Sequence, residues 1–137
     1  MSATENLAVH SRWAEAENMH DLAQLEDFLH PDIEEHLSAS EVIVGIDAYR
    51  ASLLAVFKSL PDFHTVLDDR FATDDRVVCR WRTSGTHEGD FNGLPPTGKR
   101  IEWMGISIWE FEDGKARRGW IMQDVASLMR QIGVPST

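Results

Sequence analysis

Trp120, Met122 and Asp124 are spaced two residues apart, so on an extended strand they share a face and a carboxylate ends a line of large apolar side chains. Burial disfavours the charged form of such a group and raises its pKa toward the range where a general acid or base works near neutrality. Asp124 also directly precedes the helix-forming run Val125 to Ile132, where a carboxylate can cap the first turn, and the two roles are compatible. His87 has the parity of Val77, Cys79, Trp81 and Thr83, and His36 follows the short run Ile33 to Glu35, so both are candidate proton carriers. A lone histidine is more often a hydrogen-bonded structural residue, which is the alternative for each. Five tryptophans in 137 residues could wall a flat slot for a ring-shaped ligand, and Trp13, Trp81, Trp103 and Trp120, with Met104 and Met122, are the candidate substrate contacts.

Other chemistries lack their motifs. There is no His-x-His, HExxH or cysteine pair for a metal, and no Walker loop or GxGxxG for a nucleotide or nicotinamide. Neither metal nor cofactor is therefore expected. Ser84 and Ser107 have no nucleophile-elbow context, and Cys79 reads as a small core residue.

The elements that must position these groups follow from periodicity. A helix capped at Thr4 carries Leu7, Ala8, Trp13 and Ala14; Asp21 caps a short helix, Leu22 to Leu29; Ile33 to Leu37 is a brief strand; and Asp47 opens a helix through Phe57. After Pro61 the pattern alternates, with strands at Phe63 to Leu67, Val77 to Thr83, Ile101 to Phe111 and Lys115 to about Asp124. Asp113-Gly114 marks a hairpin between the last two strands, and a final helix from Val125 is closed by Gly133 and Pro135. Helices followed by hairpin-linked strands predict one α+β domain over residues 1–137, with N-terminal helices on a curved antiparallel sheet. The hairpin leaves a register open. A two-residue turn puts Trp103, Gly105 and Ser107 on the face of Asp124, whereas an extra residue and a bulge puts Met104, Ile106 and Ile108 there. Both faces are apolar enough to be covered, the outer one by a second subunit.

Bulk properties limit the partners. A net charge of −10 argues against nucleic acid, and no run approaches the ~18 apolar residues of a membrane span. The start MSATENLAVHSRW has neither a basic n-region nor an apolar h-region, so no secretory signal is expected, and a single cysteine suits a reducing cytoplasm.

The segment Gly85 to Gly133 resembles the SnoaL-like polyketide cyclase branch of the nuclear-transport-factor-2-like superfamily. The likeness rests on GTHxGxF (Gly85 to Phe91), GLPPTGK (Gly93 to Lys99), EDGK (Glu112 to Lys115) and W-x-x-x-D running into LMRQIG (Trp120 to Gly133). Weaker echoes lie in Asn18 to Leu25, in PDIEEH ending at His36, and in VxGxDAYR from Val44 to Arg50. The resemblance implies a cone-like α+β barrel, usually a homodimer, holding a hydrophobic ring-containing ligand between helices and sheet. It also implies that Asp124, in the W-x-x-x-D position, is the acid/base of an intramolecular aldol condensation without cofactor, and that Trp13 and His36 are wall residues. The expected function is cyclisation or isomerisation of a polycyclic or aromatic ketone. Alternatives within the fold are a small-molecule binder, a hydroxylase-type relative and an epoxide hydrolase. The last would need a second carboxylate and an arginine near Asp124, and Arg80 and Arg82 have the opposite parity.

Overall fold

A computed structural model describes residues 2–134. In chain order it contains α1 (Ala3–Asn18), a single 3-10 turn (Leu25–Asp27), β1 (Leu29–His36), β2 (Val42–Val44), α2 (Ile46–Ser59), β3 (His64–Ala72), β4 (Arg76–Thr86), β5 (Arg100–Glu112), β6 (Lys115–Gln123) and α3 (Val125–Ile132). The α+β class is as expected. The strands form one sheet in the order β2-β1-β6-β5-β4-β3, antiparallel except that β1 runs parallel to β6. The sheet is therefore mixed rather than wholly antiparallel.

Local chemistry explains the boundaries. Ser2, not Thr4, caps α1: its hydroxyl accepts from Glu5 N–H while the Glu5 carboxylate reaches back to the Ser2 amide, a capping box. The helix expected at Leu22 to Leu29 shrinks to one turn because Leu29 is taken into β1, where it is fully buried. Gly45, at φ 91°, precedes α2 where Asp47 was expected to cap, and β2 was not anticipated. α3 begins and ends as expected, with Gly133 left-handed at φ 105°; Pro135 lies outside the described residues.

The hairpin resolves the open register in an unexpected way. Asp113 and Gly114 both have positive φ, 52° and 78°, so the turn is the two-residue type and Glu112 pairs with Lys115. Phe111 then faces Ala116, but Glu110 faces Arg118, leaving Arg117 unmatched. This bulge restores the alternative register, with Gly105 opposite Gln123 and Ile106 opposite Met122. Trp103, Gly105, Ser107 and Trp109 thus face the helices together with Ile121 and Gln123, and Trp120, Met122 and Asp124 face outward.

Two indoles lie flat over glycines on the inner face. A Cβ on Gly105 would enter the ring of its cross-strand partner Trp81, and one on Gly119 would enter that of its partner Trp109. Beyond the end of β6, Gln131 of α3 substitutes for the missing strand: its amide accepts from Glu102 N–H at 2.8 Å and donates to Glu102 C=O at 2.7 Å. That pairing and the burial of Leu128 and Ile132 against Ile101 and Trp103 seat α3 on β5. Gly119→Ala should displace Trp109 and cost about 1–3 kcal/mol in a urea melt, as overpacked sites do.

Candidate active site

Between the helices and the inner sheet face lies a cavity of about 710 Å³. Four of the five tryptophans, Trp13, Trp81, Trp103 and Trp109, line it. Exposed lining residues, including Glu41, Ala55, Asn92, Gln123 and Val125, mark its mouth. Deeper in, three ionisable groups converge.

Glu17 ends the inward stripe of α1 that runs through Asn6, Val9 and Trp13, at the three- and four-residue spacings that share a helix face. Its Oε2 receives two hydrogen bonds, from Trp13 Nε1 at 2.6 Å and from the Tyr49 hydroxyl of α2 at 2.5 Å. Burial dominates these bonds and pushes the Glu17 pKa up to about 7. Glu35, two residues after the buried Ile33 on β1, also points inward. Burial first, then the charges of Glu17 and Glu41, raise it to about 8, and no hydrogen bond reaches its carboxyl among the described residues. Tyr49 is pushed well above its ordinary value, chiefly by burial and then by the two glutamates. His10 lines the same wall; burial, helped by the Arg70 guanidinium 3.2 Å from its Nδ1, lowers it to about 4, so it is neutral at physiological pH.

The sheet side of the cavity supplies neutral donors. Trp81 Nε1 donates to Ser107 Oγ at 2.7 Å, which leaves the serine hydrogen free to point elsewhere. Trp103 Nε1 donates to Gln123 Oε1 at 3.0 Å, which leaves the Gln123 NH₂ free. Two indoles thereby set two side chains as donors.

Several expected site residues lie elsewhere. Asp124 is exposed, follows the outward parity of Met122, and accepts from Ser127 N–H at 3.0 Å as the cap of α3. Its placement in the pocket was an error of register caused by the bulge at Arg117. The same error misplaced Trp120 and Met122, which are 38% and 74% exposed on the outer face beside Met104. His36 is also on that face, stacked on Trp120 at 5.5 Å and bonded to Glu34, because inward parity on β1 belongs to Ile33 and Glu35. Glu34 is held down at about 2, first by Arg118 and then by His36 and Arg117. His87 is fully buried but behind the Asn92 to Gly98 loop: Thr97 N–H donates to its Nδ1 at 3.3 Å, and Gly98 N–H donates to its carbonyl at 2.8 Å. It braces the loop and does not line the cavity. Of the named contacts, Trp13, Trp81 and Trp103 do line it. Glu17, Glu35, Tyr49 and Gln123 were missed. The signal for Glu17 was its position on the apolar stripe of α1, and for Glu35 its shared parity with Ile33.

A family model for SnoaL-like polyketide cyclases matches residues 8–132. The chain belongs to the SnoaL-like polyketide cyclase family. Among solved structures it is similar to TsrD from Streptomyces laurentii, at 28% identity over 98% of this chain and 99% of that one, with a TM-score of 0.88. It is similar to AclR from Streptomyces galilaeus, a proposed hydroxylase, at 28% identity over 99% of this chain and 86% of that one, with a TM-score of 0.87. It is also similar to IdmH from Streptomyces antibioticus, a proposed polyketide cyclase, at 26% identity over 94% and 99% of the two chains, with a TM-score of 0.79. No protein of curated function matches the sequence. No described helix is long and apolar enough to cross a membrane.

The raised pKa of Glu35 makes stability depend on pH with a definite sign. The folded state holds a proton that the unfolded chain releases near 4.5, so this contribution is complete below about 4.5 and is lost as pH rises through about 8. Glu35→Gln removes the loss. The variant should melt on the order of 5–10 °C higher than the parent at pH 8.5, with the gap closing toward pH 5, as read by calorimetry.

Proposed function

We propose that the chain is a cofactor-free enzyme that moves a proton at the carbon beside a ring carbonyl, in a cyclisation or isomerisation of a polycyclic or aromatic ketone. The observation that carries this reading is Glu17: a desolvated carboxylate in an aromatic cavity, oriented by Tyr49 and Trp13 on one oxygen and with no bond assigned to the other. Near pH 7 about half of it is ionised, the balance a general base requires to accept a carbon-bound proton and return it. As the proton leaves, charge moves to the carbonyl oxygen. Free hydrogens on Ser107 and the Gln123 amide are the donors available to that oxygen, and both are pre-oriented by indoles. Asp124 serves as a helix cap in this scheme. A hydroxylase-type reaction is the second reading, favoured by the likeness to AclR. The lone, buried Cys79 thiol suits a reducing cytoplasm.

The assay is exchange of the α-protons of 2-tetralone in D₂O, followed by NMR. The rate should rise through about pH 7 as Glu17 ionises. Glu17→Gln should lose roughly 10²-fold or more, as removal of a general base does, and Asp124→Asn should keep both the rate and the stability of the parent, since asparagine caps a helix as well as aspartate. An unaltered rate in Glu17→Gln would refute the assignment.

We also propose that a second copy of the chain covers the outer sheet face. Met104, Ile106, Ile108, Trp120 and Met122 are 38% to 74% exposed there, an apolar strip flanked by both signs of charge, Arg80 and Arg82 with Asp68 and Arg118 with Glu34. A twofold pairing buries the strip and lets those charges meet their opposites. Ile106→Glu should convert a dimer to a monomer in sedimentation equilibrium; a parent chain that sediments as a monomer at 100 µM would overturn this.

A further inference from the structure

We infer that the cavity receives a ligand carrying a positively charged nitrogen on or near an aromatic ring, with Glu35 as the counter-ion. The inference goes beyond proton transfer and does not depend on turnover. Glu35 projects into the cavity, is half-buried there, and accepts no hydrogen bond from any described residue. A carboxyl on the wall of such a cavity is left to water alone, and an occupant that displaces that water has to supply the missing donor.

The surrounding charges indicate which sign the occupant has. Glu17, Glu35, Glu41 and Asp90 all line one cavity, the first two half-buried and the last two exposed at its rim. No lysine or arginine lines it among the described residues. Every element lining the cavity agrees: α1 presents Glu17 and the neutral His10, α2 presents Tyr49, the β1–β2 hairpin presents Glu41, β4 presents the Cys79 thiol and the loop after β4 presents Asp90. β5 and β6 present Ser107, Ile121 and Gln123, which carry no charge. Arg70 touches His10 from outside the lining. An anion would enter against four acidic side chains with no cationic side chain among the described lining to pair with. A neutral ring would leave Glu35 unpartnered. A protonated amine meets acidic side chains at the rim and along the wall, together with the indole faces, which attract cations.

Three probes of like shape separate the cases: tryptamine, 3-ethylindole and indole-3-propionate, titrated into the full chain by calorimetry at pH 7.5. Tryptamine should bind about tenfold or more tightly than 3-ethylindole, as expected for a charge-assisted bond in a desolvated site, and indole-3-propionate should not bind. Because Glu35 holds a proton below about 8, tryptamine binding should release one, seen as a buffer-dependent enthalpy that fades by pH 9.5. In Glu35→Gln the tryptamine and 3-ethylindole constants should converge. Should that variant not fold by circular dichroism, Glu41→Gln, at the exposed mouth, should narrow the ratio instead. Equal or tighter binding of 3-ethylindole or indole-3-propionate by the parent would overturn the proposal, as would a ratio untouched in a folded Glu35→Gln chain or tryptamine binding too weak to detect at 10 mM. Loss of 2-tetralone exchange alone would leave it standing.

Discussion

A β-strand carries successive side chains to opposite faces, so a single unmatched residue in a paired strand turns over everything that follows it. In β6 that residue is Arg117. Its guanidinium is not idle: it donates to Asp32 C=O at 2.7 Å and reaches Glu34 at 3.2 Å, tying the bulge to β1. After it, Gly119, Ile121 and Gln123 look at the helices while Trp120, Met122 and Asp124 look away. The contents of the cavity, the bareness of the outer face and the capping role of Asp124 all depend on that one kink.

Given this register, the inner face is arranged by size. Large rings are accommodated by glycines opposite them, Trp81 over Gly105 and Trp109 over Gly119, so the floor stays flat and the Trp81 nitrogen reaches sideways to Ser107. Trp109 in turn packs edge-on against Trp13 at 4.9 Å, and Trp13 holds Glu17. The carboxylate is thus placed by a chain of rings that begins on the sheet. Burying Glu17 and Glu35 opposes folding above neutral pH, and the apolar clusters beneath α1, α2 and α3 must offset it.

The fold was legible where local chemistry is strong. Asp113-Gly114 can form few structures other than a tight hairpin, and Val125 to Gly133 carries its own cap and stop. The motif run from Gly85 to Gly133 supplied the class. The site was less legible because parity is inherited along a strand, and nothing in Lys115 to Arg118 announces which residue will be skipped. Glu35 shows the complementary difficulty. One position from Glu34, it has the same side chain and opposite surroundings, and the two carboxyls differ in pKa by about six, from about 2 to about 8. Which of the two turns inward follows from Ile33 alone, through a strand that begins four residues earlier than the alternating pattern suggests.

The distribution of indoles has an optical consequence. Trp13, Trp81, Trp103 and Trp109 share the cavity, while Trp120 stands alone against His36 on the opposite side of the sheet. Their emission therefore divides into two populations separated by the thickness of one β-layer. Occupancy of the interior perturbs the first group and leaves Trp120 as an internal reference, whereas association through the sheet shifts Trp120 and leaves the four interior rings in place. The chain carries separate native reporters for what it holds and for what it sits against.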